Sequence, residues 1–215
     1  LVKLFFEQRE GTTRLWNIYG PTECAVDATA AEITLGMLGT ADGGAQLPIG
    51  KPIDNRRVFV VDGNLRPVAA GVPGELLIGG QCVARGYRSR PDLTGQAFVQ
   101  WQMDPSDVST MRVYRTGDLV RWSVGGDILF LGRIDQQVKL RGYRIELGEI
   151  ESVATQADGV REAVAIVHKH QSSNAKHIVL YVVPASAETS AVLLACKEKL
   201  AHYMVPSAVV VIGDE

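Results

Sequence analysis

The sequence predicts a mixed α/β fold in which a β-rich part is followed by a smaller α+β part. Short strand-like segments separated by turn sequences such as DGN and GGD fill residues 26–133 and are typical of a barrel or sandwich. After about Asp135 the pattern changes, and helical and strand-like segments alternate. We therefore expect a β-barrel-like region at residues 1–134 and a small α+β region at residues 135–215.

The individual elements follow from their residue types. In the β-rich region the predicted strands are VDATAAEI, RRVFVVDG, GELLIGG, RVYRTGDLVRW and ILFLGR. In the second region an amphipathic helix is predicted from four apolar residues at helical spacing, Ile150, Val153, Ala154 and Ala157. A second helix is predicted around Cys196, and the predicted strands are EAVAIVHKH, HIVLYVVP and SAVVVIG.

Composition and charge exclude several classes of function. The chain has 215 residues, of which 46% are hydrophobic, and its formal net charge of -2 provides no positive field that would attract nucleic acid. No apolar run approaches the roughly 20 residues that cross a bilayer, so no membrane span is expected. Cys24, Cys82 and Cys196 are too scattered for a disulfide framework, which favours a reduced, cytoplasmic setting. Because the first residue is Leu rather than Met, we expect a piece of a longer protein.

The segment NIYGPTE, residues 17–23, is the first candidate site. A strand-like stretch runs into a Gly-Pro turn and then presents a hydroxyl and a carboxylate side by side, at Thr22 and Glu23. Mg²⁺ takes hard oxygen ligands and usually binds one or two carboxylates plus phosphates, so this pair could hold phosphate and cation. Tyr19 adds a flat face for stacking a base. The alternative is an ordinary turn with a helix-capping Thr.

The segment YRTGDL, residues 114–119, is the second candidate site. We expect an apolar strand to end at Thr116 and Gly117 and to deliver Asp118 at a tight turn. A carboxylate there can accept two hydroxyl hydrogen bonds from a ribose, each worth about 1.5–3 kcal/mol. An Asp that only closes a β-turn is the alternative.

The segment GRIDQQVKLRGYRIELGEIE, residues 132–151, is expected to form two strands and the start of a helix. Lys139 and Arg141 would share one strand face. Because carboxylates follow at once, a solvated mixed-charge surface is favoured over a nucleic-acid patch. The four histidines lack the spacing of a metal site.

Taken together and in this order, NIYGPTE, GELLIGG through ARGY, YRTGDL, GRIDQQVKLRGYRIELGEIE and YMVP resemble the later core motifs of nonribosomal peptide synthetase adenylation domains. The resemblance covers essentially the whole chain. It implies the adenylate-forming (ANL superfamily) fold, with the C-terminal part of the large subdomain at residues 1–134 and a C-terminally incomplete lid at residues 135–215. Asp135 matches the hinge of the family.

The resemblance also implies roles for single residues in binding ATP. The implied nucleotide-binding set is Asn17, Tyr19, Gly20, Thr22, Asp118, Phe130 and Arg133. Tyr19 would lie against the adenine and Asp118 on the ribose hydroxyls, with Phe130 and Arg133 beside the ribose. Thr22 would lie near the phosphates.

Other implied roles concern the metal and the amino-acid substrate. Glu23 would bind Mg²⁺ and, with Thr22, form the catalytic pair. Ile18, Val26 and Asp27 match positions that line the amino-acid pocket. Asp27 favours a substrate with a polar or cationic side chain, because a buried carboxylate needs a partner.

The implied reaction has two steps and several partners. An amino-acid carboxylate attacks the α-phosphate of ATP and releases pyrophosphate, and the aminoacyl group then passes to a phosphopantetheine thiol on a peptidyl carrier domain. The lid would rotate between the steps, with Lys139, Arg141 and Gly142 facing the second. An MbtH-like protein and a condensation domain are further partners that the family suggests.

The chain departs from the family pattern at Cys82, where Gly is usual, and at Ala97, where Arg is common. The glycine-rich phosphate loop would lie upstream and the catalytic lysine beyond Glu215, so we expect the fragment alone to be inactive.

Two alternatives stay open. An acyl- or aryl-CoA ligase shares YRTGDL and the GR-x-D hinge, although the sequence QVKLRGYRIELGEIE favours the peptide-synthetase branch. A non-catalytic module that docks a carrier or an MbtH-like partner is the other alternative. The intact Thr22, Glu23, Asp118 and Arg133 argue against it.

Overall fold

The structure is a computed structural model that describes residues 2–8, 13–38, 47–103, 106, 109–135, 137–140, 142–169, 176–183 and 187–213, except the side chains of Lys3, Lys139 and Arg144. The chain forms two compact units, Leu1–Asp135 and Gln136–Glu215. This division lies one residue after the predicted boundary. The assignment of the units to a large subdomain and a lid stays a prediction.

The first unit consists mainly of β-strands. Its elements are α1 (Val2–Gln8), β1 (Leu15–Tyr19), β2 (Thr29–Ile33), β3 (Lys51–Pro52), β4 (Arg56–Val61), β5 (Gly74–Gly80), α2 (Pro91–Ala97), β6 (Phe98–Trp101), β7 (Met111–Trp122) and β8 (Ile128–Arg133), with 3₁₀ helices at Thr22–Cys24 and Leu35–Leu38. Strands β5 and β8 coincide with the predicted segments GELLIGG and ILFLGR. Helix α2 and strands β3 and β6 were not predicted.

Five of these strands form one sheet around the long strand β7. The order is β4-β5-β7-β6, and β8 also pairs with β7. Because β7 has 12 residues, β6 pairs with its first half and β8 with its second half. Strands β1, β2 and β3 form a second sheet, which a bridge between Gly50 and Ile128 connects to β8.

The mixed α/β class is confirmed, but the strands of the first unit form open sheets. A closed barrel would require the edge strands β4 and β6 to pair, and in the described part of the chain they do not. The central strand β5 is buried on both faces, which gives the unit two apolar clusters. Leu76 and Ile78 pack with Tyr114 on one face, and Leu77 packs with Trp101 on the other. These clusters fix β7, the strand that carries Asp118.

The second unit has the predicted α+β character. Its elements are β9 (Val138–Leu140), β10 (Tyr143–Ile145), α3 (Leu147–Ala154), β11 (Glu162–Lys169), β12 (Lys176–Val183), α4 (Thr189–Lys199) and β13 (Ala208–Val211). Strands β9 and β10 form a hairpin, and the sheet order is β11-β12-β13. Ile150 of α3 and Cys196 of α4 are fully buried with Ile178 and Leu180 of β12, as expected for helices that cover one sheet face.

Two further sequence expectations concern local features. Most of the predicted polar turn QSSNAK lies outside the described residues, and its last residue, Lys176, begins β12. None of the helices in the described ranges combines the length and the apolar character that a bilayer span requires.

Candidate functional site

The structure brings the first two candidate segments together at the ends of β1 and β7. Tyr19 is the last residue of β1, and its hydroxyl donates a hydrogen bond to Oδ2 of Asp118. Burial, and next the negative charge of Asp118, raises the pKa of Tyr19 well above its usual value. The phenol therefore stays protonated and remains a donor. Asp118 itself is only 5% exposed.

The second oxygen of Asp118 is paired with Arg133, the last residue of β8. Nη1 of Arg133 donates to Oδ1 of Asp118 at 2.7 Å, and the two residues lie opposite each other in the β7–β8 register. The Arg133 guanidinium also donates from Nε and Nη2 to the two carboxylate oxygens of Asp135, at 2.6 and 2.5 Å. Arg133 thus bridges two carboxylates within the first unit, in the fork geometry that arginine favours.

The predicted tight turn at Asp118 is wrong, because Asp118 lies inside the continuous strand β7. The pairing of β5 with β7 shifts register between Glu75 and Leu77, which indicates a bulge in β7. Gly117 has a φ of +68°, and a Cβ there would lie 2.8 Å from Nη2 of Arg133 and 2.8 Å from Oδ2 of Asp135. The bulge and the missing side chain at Gly117 together leave space beside the strand for the ion pair of Arg133 and Asp135.

Thr116 and Glu75 support this bulge. The hydroxyl of Thr116 donates to the carbonyl oxygen of Leu76 at 2.8 Å and accepts from the backbone N–H of Asp118 at 3.0 Å. The Glu75 carboxylate accepts from the Gly117 N–H at 3.2 Å and from Nη2 of Arg115 at 2.7 Å. These contacts provide hydrogen-bond partners for the Leu76 carbonyl and for the N–H groups of Gly117 and Asp118, where the bulge interrupts the regular pairing of β5 with β7.

The carboxylate of Glu23 is held by a residue that the sequence analysis did not select. Thr22 and Glu23 lie in the 3₁₀ helix Thr22–Cys24, with Thr22 exposed and Glu23 half-buried. The Tyr87 hydroxyl donates to Oε1 of Glu23 at 2.8 Å, and the Ala84 N–H donates to the Glu23 carbonyl oxygen at 2.9 Å. Tyr87 is the Tyr of the ARGY motif, and its position in that motif is the signal that could have identified it.

The chain after Tyr19 folds back on itself in a strained turn. Ala25 and Val26 have φ values of 57° and 70°, a region that is unfavourable for a β-branched residue. A Cβ at Gly20 would lie 2.3 Å from the carbonyl oxygen of Val26, so only glycine fits there. The Ala28 N–H then donates to the carbonyl oxygen of Tyr19 at 2.8 Å and closes the turn. Strain of this kind is often found at functional sites.

The remaining predicted residues of the first unit have different surroundings. Nδ2 of Asn17 donates to the carbonyl oxygen of Pro48 at 2.7 Å, and Phe130 packs against the apolar cluster around Tyr114. The three predicted pocket positions are all exposed in this chain: Ile18 at 56%, Val26 at 62%, and Asp27. Asp27 is therefore not a buried carboxylate in this structure, contrary to the expectation from the sequence.

In the second unit the predicted thiolation-step residues lie in the hairpin of β9 and β10. Gly142 is exposed, with a φ of +85°, in the turn between the two strands. Lys139 belongs to β9, and Arg141 lies outside the described residues. Where the structure describes side chains, it shows no group of three or more His, Cys, Asp or Glu residues that could hold a metal ion.

Comparison with known proteins gives a consistent result. The AMP-binding enzyme family matches residues 2–88. The chain is 47% identical over 202 residues to a component of the linear gramicidin synthase of Brevibacillus parabrevis, covering 92% of the chain and 4% of that protein. It is 47% identical over 194 residues to tyrocidine synthase 3 of the same organism, covering 90% of the chain and 3% of that protein. The chain therefore spans only a small fraction of these relatives.

Two solved structures show the same fold. The Vibrio cholerae adenylation domain AlmE, in complex with glycyl-adenosine-5'-phosphate, aligns with a TM-score of 0.78 and 28% identity over 94% of the chain and 37% of that structure. PA1221, an NRPS protein containing adenylation and PCP domains, aligns with a TM-score of 0.74 and 30% identity over 94% of the chain and 38% of that structure.

The fold and the paired motifs match those of adenylation domains, and the AMP-binding enzyme family matches the first part of the chain. Its sequence is similar to nonribosomal peptide synthetases over about nine-tenths of its length, and its structural neighbours include adenylation domains.

Proposed function

We propose that this chain supplies ATP-binding residues to an enzyme that activates an amino acid as its adenylate and passes the aminoacyl group to a phosphopantetheine thiol on a peptidyl carrier domain. The observation that carries the proposal is the convergence of Tyr19, Asp118 and Arg133, which come from three separate motifs. The names of the structural neighbours, one with glycyl-adenosine-5'-phosphate and one with a PCP domain, agree with this function.

Asp118 is the group that we assign to the ribose of ATP. An ionised carboxylate has about four acceptor sites. Tyr19 and Arg133 use one site on each oxygen, so further sites are available to the two ribose hydroxyls. The ion pair with Arg133 fixes the orientation of the carboxylate, which reduces the entropy cost of binding. Phe130 lies on β8 three positions before Arg133 and would flank the ribose.

The ring of Tyr19 is the surface that we assign to the adenine. Its hydroxyl is anchored on Asp118, so the ring plane is set before ATP binds. Asn17 and Gly20 act on this part of the site indirectly: the side-chain amide of Asn17 donates to the carbonyl oxygen of Pro48, and Gly20 allows the close approach of the Val26 carbonyl. These contacts give Asn17 and Gly20 positioning roles in nucleotide binding.

Thr22 and Glu23 are the residues that we assign to the triphosphate and to Mg²⁺. The Thr22 hydroxyl is exposed and able to donate to a phosphate oxygen. Glu23 offers one carboxylate, which fits the usual binding of Mg²⁺ by one or two carboxylates together with substrate phosphates. Bound there, Mg²⁺ would neutralise charge that develops on the phosphates. The hydrogen bond from the Tyr87 hydroxyl to Oε1 orients the Glu23 carboxylate.

In the first step an oxygen of the amino-acid carboxylate forms a bond to the α-phosphorus, and pyrophosphate leaves. In the second step the carrier thiol attacks the acyl carbon, and AMP leaves. We propose that Asp135, at the end of the first unit, is the hinge that allows different faces of the second unit to serve the two steps. Lys139, Arg141 and Gly142 would then serve the second step.

The identity of the amino acid and of further partners belongs to the same proposal. Ile18, Val26 and Asp27 are the positions assigned to the amino-acid pocket, and their exposure leaves them accessible to a substrate. An MbtH-like protein and a condensation domain are the further partners expected for an enzyme of this class.

The test is amino-acid-dependent exchange of pyrophosphate into ATP, measured on the whole protein that contains this chain. The substrates should be the proteinogenic amino acids together with sets of aryl and fatty acids. We expect exchange with one or a few amino acids. Exchange only with aryl or fatty acids would indicate an acyl- or aryl-CoA ligase instead. No exchange, either with or without an MbtH-like protein, would support a non-catalytic docking module.

A further inference from the structure

A cavity of about 150 Å³ in the second unit has no part in the proposed reaction. Its polar lining comes from three segments: β10, the start of β12, and the connection between α4 and β13. The side chains that form this lining are Tyr143, Lys176, His177, His202, Tyr203 and Ser207. Leu140, Ile178 and Val205 supply apolar surface.

One wall of the cavity is a rigid aromatic cluster. The rings of Tyr143 and Tyr203 are stacked with centroids 4.1 Å apart and an angle of 6° between their planes. His202 lies edge-on to Tyr203 at 5.3 Å. The cluster links the hairpin of β9 and β10 to the YMVP segment, and the stacking restricts the rings of Tyr143 and Tyr203 before a ligand binds.

Four of the six polar side chains, Tyr143, Lys176, His202 and Ser207, are exposed, so their polar groups are accessible to a ligand. Among the described residues, none of the six side chains makes a hydrogen bond or an ion pair, and no carboxylate lines the cavity. Lys176 carries a positive charge, and each histidine donates at least one N–H even when neutral. Three hydroxyls add further donors. A chain with a net charge of -2 therefore concentrates unpaired donors and positive charge in one small cavity.

We propose that this cavity binds the phosphate group of a small phosphomonoester. A terminal phosphate has three strong acceptor oxygens and about 1.5–2 negative charges, which match donors that arrive from three segments. A carboxylate has only two oxygens and would leave more of these donors unused. Lysine is a common phosphate ligand, and the stacked tyrosines with the apolar residues offer a surface for the organic part of the ester.

The first experiment titrates the whole protein that contains this chain with inorganic phosphate at constant neutral pH and follows the NMR signals of its isotope-labelled histidine, lysine and tyrosine side chains. Sodium chloride at equal ionic strength is the solution control. We expect saturable shifts confined to residues around the cavity. Lys176→Ala and His202→Ala should each weaken binding at least about 5-fold, because each removes a charge-assisted donor. Lys197→Ala, which removes an exposed lysine outside the cavity, should leave the affinity unchanged.

Two results would overturn the assignment. One is signal shifts that never saturate with phosphate, and the other is equal weakening of phosphate binding by Lys197→Ala and Lys176→Ala. Both results would indicate a non-specific effect of charge rather than a binding site. Should a variant fail to fold, the pattern of shifts in the unchanged chain still locates or refutes the site. Titrations with pantetheine 4'-phosphate and AMP, each against the unphosphorylated compound, identify the source of the phosphate. No step depends on ATP turnover, so the outcome is independent of the proposed function.

Discussion

The hydroxyl of Tyr19 donates to the carboxylate of Asp118 across 99 positions of sequence. This one hydrogen bond joins the end of β1 in the smaller sheet to the bulged strand β7 in the larger sheet of the first unit. Arg133 binds the other oxygen of the same carboxylate. Asp118 is therefore both a structural connector and the proposed ribose ligand, and its two contributions need to be separated by experiment.

Asp118→Ala in the whole protein should weaken ATP binding by about 10- to 100-fold, because it removes one or two hydrogen bonds to a charged acceptor. Tyr19→Phe keeps the carboxylate and the ring and removes only the Tyr19–Asp118 bond, so its effect should be several-fold smaller. Equilibrium ATP binding measured by calorimetry provides the comparison. Unchanged ATP affinity in Asp118→Ala would remove the ribose assignment.

Gly117→Ala should destabilise the chain by about 1–3 kcal/mol, since the added methyl meets the Arg133–Asp135 pair and the backbone has a positive φ. Urea unfolding of the chain measures this difference. Gly63→Ala is the matched control, because a Cβ at Gly63 meets nothing within 4 Å and its φ lies outside the left-handed region. Equal stability of the two variants would show that the bulge tolerates a side chain.

Tyr87→Phe should raise the Mg²⁺ concentration needed for half-maximal adenylation by about 10-fold, because the Glu23 carboxylate loses the hydroxyl that orients it. The measurement is the exchange rate as a function of Mg²⁺ at saturating ATP. Tyr181→Phe, a matched change in the second unit, should leave the curve unchanged. A loss of rate in Tyr87→Phe that no Mg²⁺ concentration restores would argue against a metal role for Glu23.

The carboxyl of Asp92 should titrate at about 2, because its hydrogen bonds to Arg90 lower its pKa from the usual 3.8. The ionised form is favoured in the folded state, so the associated stabilisation is fully present above pH 3.8 and is lost as the pH falls through about 2. Carbon-detected NMR follows this carboxyl directly.

Two arginine variants test whether Arg90 is the cause of the lowered pKa of Asp92. Arg90→Ala should move the Asp92 midpoint up toward 3.8, whereas Arg88→Ala should leave it in place. If Arg90→Ala does not shift the midpoint, the backbone N–H of Leu93 rather than the guanidinium lowers the pKa.

Asp135→Pro and Asp135→Ala in the whole protein should differ in the thioester-forming step. Both variants remove the paired bonds from Arg133, but only proline restricts the backbone at and before position 135. Rates of adenylation and of carrier loading measured separately should show one step more impaired in the proline variant. The hinge assignment is wrong if both variants have the same ratio of the two rates.

Several parts of the fold could be predicted from local sequence alone. The segments GELLIGG and ILFLGR form β5 and β8 because runs of aliphatic residues favour strands that are buried in a sheet. Helix α2 and strand β6 were missed because they are short and adjoin one another without a turn signal. Strand β6 is held by packing of Phe98 against Tyr87 and Tyr114, which no local pattern reveals.

In the candidate site, too, some features could be predicted from the sequence and others depend on tertiary structure. The sequence by itself determined which residue types stand in each motif, and the order of those motifs indicated the family. Only the tertiary structure decided that Tyr19 and Arg133 share the carboxylate of Asp118, that Tyr87 holds Glu23, and that Asp118 lies in a bulged strand. The physical reason is that strand formation depends on neighbouring residues, whereas these contacts depend on sheet register and burial between segments far apart in the chain.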